Sequence, residues 1–205
     1  MTYKTEQESF WAGTFGDEYV ERNKSQALLA SNLAFWSRIL VQYGPVHSVL
    51  ELGANIGMNL MALDLLFPGI RMEGAEINDV AAAQLASWGK AKVFKGSIFN
   101  YEVQEQFDLV FTKGVMIHLS PDCLTQVYDL MEKASSRLVC IAEYYNPSPV
   151  EIPYRGHQGK LFKRDFAGEM MERHPNLRLL DYGFVYKRDS AFPQDDITWF
   201  LLGKR

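Results

Sequence analysis

The 205-residue chain is 47% apolar and 22% charged, with a formal net charge of −4, the make-up of a water-soluble domain large enough to bury a core unaided. This balance lacks the basic excess of a nucleic-acid surface. No apolar run is long enough to span a bilayer, residues 1–6 lack a signal peptide's apolar region, and two cysteines make no disulfide framework, so one cytoplasmic domain over 1–205 is expected.

Residues 9–23 are aromatic and punctuated by glycine. Such a segment either caps a pocket, with Phe15, Tyr19, Arg22 and Asn23 as its candidates, or merely covers core. Residues 25–43 predict a long helix, apolar at Leu28, Leu29, Leu33, Phe35, Trp36, Ile39 and Leu40 and stopped by Gly44-Pro45. Val49-Leu50 and Leu52 then form a short apolar run, as in a strand buried on both faces. The run stops at Gly53 and passes through Gly57 into a helix opening at Met58. Strand, glycine turn and helix make the first unit of a doubly wound α/β domain, whose ligand sits beyond the strand's carboxyl end. Gly53 lets a ligand approach the backbone, and Gly57 lets a helix start pack closely with its unpaired N–H groups facing that ligand.

Two acids give the turn its meaning. Glu76 ends the second strand, 70–77, nineteen residues after Gly57, where it is placed to accept hydrogen bonds from ribose hydroxyls. Glu51, before the turn, would face a cation better than a phosphate. The pair points to a nucleoside carrying a positive charge, and the missing G-x-G-x-x-G spacing disfavours a nicotinamide enzyme.

A helix over 79–88 ends at Gly89, and a third strand over 91–94 leads to Gly96-Ser97-Ile98-Phe99. The fourth strand, 107–114, runs through Asp108-Leu109-Val110-Phe111 to Lys113-Gly114. His118 follows and has two readings: a catalytic group, or a structural residue near a helix start that Ser120 or Asp122 would cap. The fifth strand, 137–144, ends in Glu143-Tyr144-Tyr145-Asn146, where Pro147-Ser148-Pro149 forbids continuation. A long irregular loop, 150–160, is of the kind that usually carries function. It runs into a helix over 162–173, opened by Lys163-Arg164-Asp165. Strand-like segments 177–187 and 197–203 close the order as an antiparallel pair. The expected fold is a Rossmann-like, seven-stranded, mostly parallel sheet with an antiparallel C-terminal strand and helices on both faces.

Glu51-Leu52-Gly53-Ala54-Asn55-Ile56-Gly57 resembles the first motif of the class I S-adenosylmethionine-dependent methyltransferases, with Asn55 where Gly is commoner. The stretch from Asp108 to Asp122 resembles their fourth motif. The resemblance implies an S-adenosyl-L-methionine site, no metal, and S-adenosyl-L-homocysteine as product. Its residues would be Glu51, Gly53, Ala54, Asn55 and Gly57 at the first turn, and Glu76 and Ile77 at the second strand's end. Ser97 or the Ile98 backbone would meet the adenine, with Lys113 and Gly114 alongside. An amino-terminal cap over 1–24, carrying Phe15, Tyr19 and Asn23, would close over the cofactor. Phe10 to Tyr19, Thr112 to His118, Glu143 to Pro147, Tyr154 to His157 and Phe162 to Phe166 further resemble the methylases associated with pseudaminic acid biosynthesis, which implies an association with nonulosonic-acid sugars.

In that chemistry an oxygen acceptor needs a base, an amine need only arrive neutral, and a carboxylate needs none. His118, Glu143 and Tyr144 are the catalytic candidates, although in relatives the histidine often lines the site without moving protons. Over the active-site loop, 145–161, and just beyond it, Tyr145, Asn146, Arg155, His157, Lys160 and Arg164 are candidates to hold the acceptor, with Tyr19. Arg155, Lys160, Lys163 and Arg164 crowd positive charge into an acidic chain. Lys163 and Arg164 would oppose the dipole of a helix they open, which a bound anion would explain, with Arg155 as its bidentate partner. The bland alternative is a solvated loop. The rival functions are a non-catalytic cofactor-binding subunit and a nucleic-acid or protein methyltransferase, for which Asn146-Pro147-Ser148-Pro149 is only a faint echo of a base-holding motif.

Overall fold

The computed structural model describes residues 3–22 and 24–205. Two short helices, α1 (Glu6–Ala12) and α2 (Thr14–Arg22), precede α3 (Gln26–Leu40). Then come β1 (Ser48–Leu52), α4 (Met58–Leu66), β2 (Arg71–Glu76), α5 (Asp79–Trp88), β3 (Lys92–Lys95) and β4 (Phe107–Lys113). The remainder is α6 (Leu124–Ala134), β5 (Ser135–Glu143), a small pair β6 (Val150–Glu151) and β7 (Phe162–Lys163), α7 (Phe166–Arg173), β8 (Leu177–Val185) and β9 (Ile197–Lys204).

Seven strands form one sheet in the order β3-β2-β1-β4-β5-β9-β8. The first five run parallel, and β9 is antiparallel to both its neighbours. The expected sheet is therefore present. Its order reverses between β1 and β4, where a doubly wound sheet opens a crevice at its carboxyl edge. All five residues of β1 are buried, so its alternate side chains feed two cores. Val49, Leu109 and Cys140 meet Phe35, Trp36, Ile39 and Leu63 from α3 and α4. Leu50, Val110 and Val139 meet Val127, Met131, Phe166 and Met170 from α6 and α7. Each fully buried side chain of this size contributes roughly 1.5–3 kcal/mol.

Helix α5 runs as expected because both ends are capped. Asn78 accepts the Ala81 amide at 2.9 Å, and Gly89, at φ 76, ends the helix in the left-handed region. Two other expectations are corrected. Residues 150–160 belong to a β-hairpin: β6 pairs with β7, Ile152 N–H donates to Leu161 C=O at 2.9 Å, and Tyr154 and His157 exchange backbone bonds at 2.8 and 2.9 Å. Arg155 (φ 48) and Gly156 (φ 86) supply the two positive φ values that a tight hairpin turn of this twist demands. Helix α7 begins at Phe166, not at 162, because Asp165 is its N-cap and accepts the Gly168 amide at 2.9 Å. Lys163 lies in β7 and Arg164 precedes the helix, bonded to Glu169 at 2.8 Å, so neither opposes the dipole in the way expected.

Among the described residues no helix is long and apolar enough to cross a membrane. At the end of β1, the Gly53 and Ala54 amides both donate to Ala75 C=O at 2.8 and 3.0 Å, which swings the chain into φ 77 at Gly53. A Cβ there would stand 2.5 Å from Val115 Cγ2, whereas a Cβ at Gly114 (φ 69) would meet nothing within 4 Å. Gly114→Ala should therefore cost only the backbone term, about 1–2 kcal/mol. Gly53→Ala should cost measurably more in the same urea titration, and equal losses would show that the Val115 contact is immaterial.

Candidate small-molecule site

A cavity of about 220 Å³ opens at the carboxyl ends of β1, β2 and β4. Its organising group is the buried Glu76, whose Oε2 accepts the Asn55 amide at 2.6 Å and Oε1 the Asn78 amide at 2.7 Å. Burial pushes this carboxyl's pKa up, and the backbone bonds pull it back. Each carboxylate oxygen has a further lone pair, so the acid retains capacity for a ligand's hydroxyls. Asn55 reaches Glu76 through a left-handed backbone at φ 48, a conformation asparagine tolerates better than most residues, which explains its place in a turn where glycine is commoner.

Glu51 is a different acid. Its Oε1 accepts Asn59 Nδ2 at 2.7 Å, while its Oε2 is buried with no partner among the described residues. Burial pushes its pKa up to about 8, countered by the Asn59 bond and the charge of Lys113. Lys113 is pushed the opposite way, down to about 8, by the same burial and is held up by Glu51. Its ammonium donates to Asn32 Oδ1 at 2.9 Å and stands over the Phe35 ring.

The amino-terminal helices wall the cavity from above. Asn78 Nδ2 donates to Asp17 Oδ1 at 2.8 Å and to Trp11 C=O at 3.3 Å. Trp11 packs edge-on to Phe15 and Tyr19, with centroids 5.4 and 5.3 Å apart. Helix α1 also grips the hairpin: Gln7 Nε2 donates to Gly159 C=O at 2.9 Å, Glu6 pairs with Lys160 at 2.9 Å, and Phe10 meets His157 at 5.0 Å.

His118 lies beneath this junction, between Trp11 (4.6 Å) and Tyr154 (4.7 Å). Its Nδ1 is 2.6 Å from Lys160 C=O. A carbonyl only accepts, so Nδ1 carries the proton and Nε2 keeps its lone pair. Burial lowers the pKa to about 4, so the ring is neutral near pH 7.

Of the residues expected from the sequence, the cavity wall brings together Tyr19, Glu51, Gly53, Ala54, Asn55, Glu76, Ile77, Ser97, Ile98, Lys113, Gly114 and His118. Gly57 lies just behind, packed on Leu85, and Phe15 stacks on Phe10 at 4.2 Å. Asn23 lies outside the described residues. Glu143 is turned away from the wall: its carboxylate accepts the amides of Val115, Met116 and Ile117 at 3.1, 3.1 and 3.4 Å, and burial raises its pKa to about 7. Tyr144 is hydrogen-bonded to Asp195 and lies under Lys163. Tyr145 rests on Phe200, and Asn146 closes a turn onto Ser148 C=O. Arg155 and His157 are exposed on the hairpin, while Lys160 and Arg164 are committed to Glu6 and Glu169.

Sequence reasoning missed Trp11, Asn59, Asn78, Gln194 and Asp195, all on the wall. Asn78 carried a signal, as the N-cap before an apolar helix. Gln194 and Asp195 carried none, being polar residues in a polar connection.

No family model and no curated protein matches this chain. Solved structures with the class I S-adenosylmethionine-dependent methyltransferase fold do. The magnesium protoporphyrin IX methyltransferase of Synechocystis PCC 6803 with bound S-adenosylhomocysteine superimposes with a TM-score of 0.71 at 10% identity, over 97% of this chain and 98% of that one. The plantazolicin methyltransferase BpumL, in complex with a pentazolic desmethylPZN analog and S-adenosylhomocysteine, gives 0.69 at 13% identity, over 97% and 94%. CalS10, an amino pentose methyltransferase from Micromonospora echinaspora with bound S-adenosylmethionine, gives 0.64 at 13%, over 94% and 97%. At these identities the likeness is one of fold.

The buried imidazole has a consequence for stability. His118 binds its proton at about 4 in the fold and near 6.5 when unfolded. Between these values the folded state holds fewer protons, so stability rises with pH through that window, by roughly 3 kcal/mol from this group. His118→Asn, which keeps a donor for Lys160 C=O, should flatten that part of a stability–pH curve. An unchanged slope would mean that the ring is not held neutral.

Proposed function

We propose that this chain is an S-adenosyl-L-methionine-dependent methyltransferase acting on a small molecule, with S-adenosyl-L-homocysteine as product and no metal. The observation that carries the reading is the pair of acids on the cavity wall. Glu76 offers spare acceptor capacity at the end of β2, and Glu51 holds an oxygen for which the described chain provides no donor. A ribose diol and a cationic amino group are what these two positions ask for. Residues of the Ser97–Phe99 turn supply the wall where the adenine would lie. When bound, the cofactor supplies a methyl carbon activated by a sulfonium.

The chain's own contribution is positioning and exclusion of water. The grip of α1 on the hairpin covers the cavity with aromatic side chains. His118, neutral and with Nε2 unprotonated, accepts a hydrogen bond from an acceptor's O–H or N–H and orients it. With a pKa near 4 it is too weak a base to hold a proton at pH 7, so orientation is its role. Glu143 acts through the backbone, fixing the loop that carries His118. This polar acceptor side, with Asp195 and Tyr19 also on the wall, favours an enzyme over a non-catalytic subunit.

The finer reading, an anionic acceptor of the nonulosonic-acid type, rests on the resemblance of the motif pieces and on two arginines. Arg155 at the hairpin tip and Arg22 on α2 both act electrostatically on Tyr19. Lys160, Lys163 and Arg164 are engaged elsewhere and support it less.

Calorimetry with S-adenosylhomocysteine tests the cofactor. Wild type should bind it, and Glu76→Ala, verified as folded, should bind about 1.5–3 kcal/mol more weakly, the scale of a charged hydrogen bond. Absence of binding to wild type would sink the proposal, and an unchanged mutant would remove Glu76 from the site.

A further inference from the structure

We infer that the connection between β8 and β9 recognises the methyl acceptor, and that Asp195 there takes a hydrogen-bond donor of the substrate, an amine or a hydroxyl. This rests on the methyltransferase reading above and specifies its acceptor. The connection is pinned to the body of the fold rather than loose. Gln194 is 7% exposed, and its Nε2 donates to Ser31 C=O of α3 at 2.7 Å. Because that carbonyl only accepts, the amide's orientation is determined, and Oε1 is left buried without a partner among the described residues. A buried oxygen in this condition, on a residue of the cavity wall, is a standing demand for a donor.

Asp195 is the neighbouring wall residue and differs from every other acid there. Glu8 is anchored through Oε2 by the Lys4 and Thr5 amides at 2.7 and 2.8 Å. Glu76 is anchored by two amides and Glu51 by Asn59. Asp195 is exposed, makes no ion pair within 4.0 Å among the described residues, and has the Tyr144 hydroxyl as its bonded side-chain donor. Its carboxylate therefore has several vacant acceptor positions. His118 Nε2, on another part of the wall, is an acceptor as well. This side of the cavity thus presents acceptors and asks the substrate for donors. A carboxylate or phosphate placed against Asp195 would be repelled by it, and the Lys113 ammonium on the same wall is already attracted by Glu51 and Asp195 and bonded to Asn32, so an anionic group on the acceptor belongs at the hairpin rim.

An ammonium set apart from the methylated atom and a hydroxyl share this chemistry, and substitution separates them. The test is a screen of primary amines, polyols and simple carboxylates with labelled S-adenosylmethionine, read by mass spectrometry, followed by kinetics of Asp195→Asn and Asp195→Ala on the accepted compounds. Both variants should bind S-adenosylhomocysteine within about twofold of wild type. For an acceptor carrying that ammonium both should raise KM by roughly tenfold or more, since the charge is lost in each. For a hydroxyl acceptor Asp195→Asn, which keeps an acceptor oxygen, should be much milder than Asp195→Ala. In either case kcat should change less than KM. Three outcomes would overturn the inference: wild-type KM in both variants, accepted compounds lacking an N–H or O–H donor, or no methylated member of the panel with a protein that binds S-adenosylhomocysteine. Failure to bind that product at all would instead overturn the methyltransferase reading.

Discussion

A carboxylate buried at the end of a strand must be surrounded by donors or it will not stay ionised there. Glu76 works towards that condition by collecting amides from two successive crossovers, Asn55 after β1 and Asn78 after β2, which oppose the upward push of burial on its pKa. The rest of the cavity is connected to this arrangement. The Asn78 side chain reaches the cap at Trp11 and Asp17, the cap holds the hairpin through Gln7 and Glu6, and the hairpin's Lys160 carbonyl fixes His118. One acid is thus linked, contact by contact, to the group on the far side of the space it helps enclose.

Glu143 repeats the device on the neighbouring part of the sheet. Its carboxylate gathers three consecutive amides after β4, and the loop so held brings Val115 against Gly53. Two strand-end acids therefore shape the cavity from opposite sides, one lining it and one hidden behind. Glu51 differs from both, because one of its two oxygens has no hydrogen-bond partner at all among the described residues.

What could be read beforehand follows from the range of the interactions. The β1–α4 unit, α5 and the order of strands were legible because apolar periodicity, glycine turns and caps act within a few residues. The same local logic pointed to Glu51, Glu76 and His118. It failed at 150–164, where Pro153, Gly156 and Gly159 resemble an irregular loop although two of the turn's φ values require a hairpin. It failed again at Phe162, whose apolar character announces a helix but belongs to a strand two residues long. Gln194 was beyond reach for a different reason: its anchor, Ser31, is 163 residues away, and no local pattern encodes such a contact.

The position of β9 between β5 and β8 also bears on how the protein is made. Among the described residues the only sheet partner of β8 is β9, which follows it in the sequence. Before β9 docks during folding, β8 therefore has both edges unpaired and carries Tyr182 and Phe184, side chains that remain more than half exposed even in the finished fold. Until β9 is in place, β8 is an unpaired, partly apolar ribbon, the kind of surface that chaperones cover. Of the described strands, the last in sequence is the one that joins β8 to the rest of the sheet.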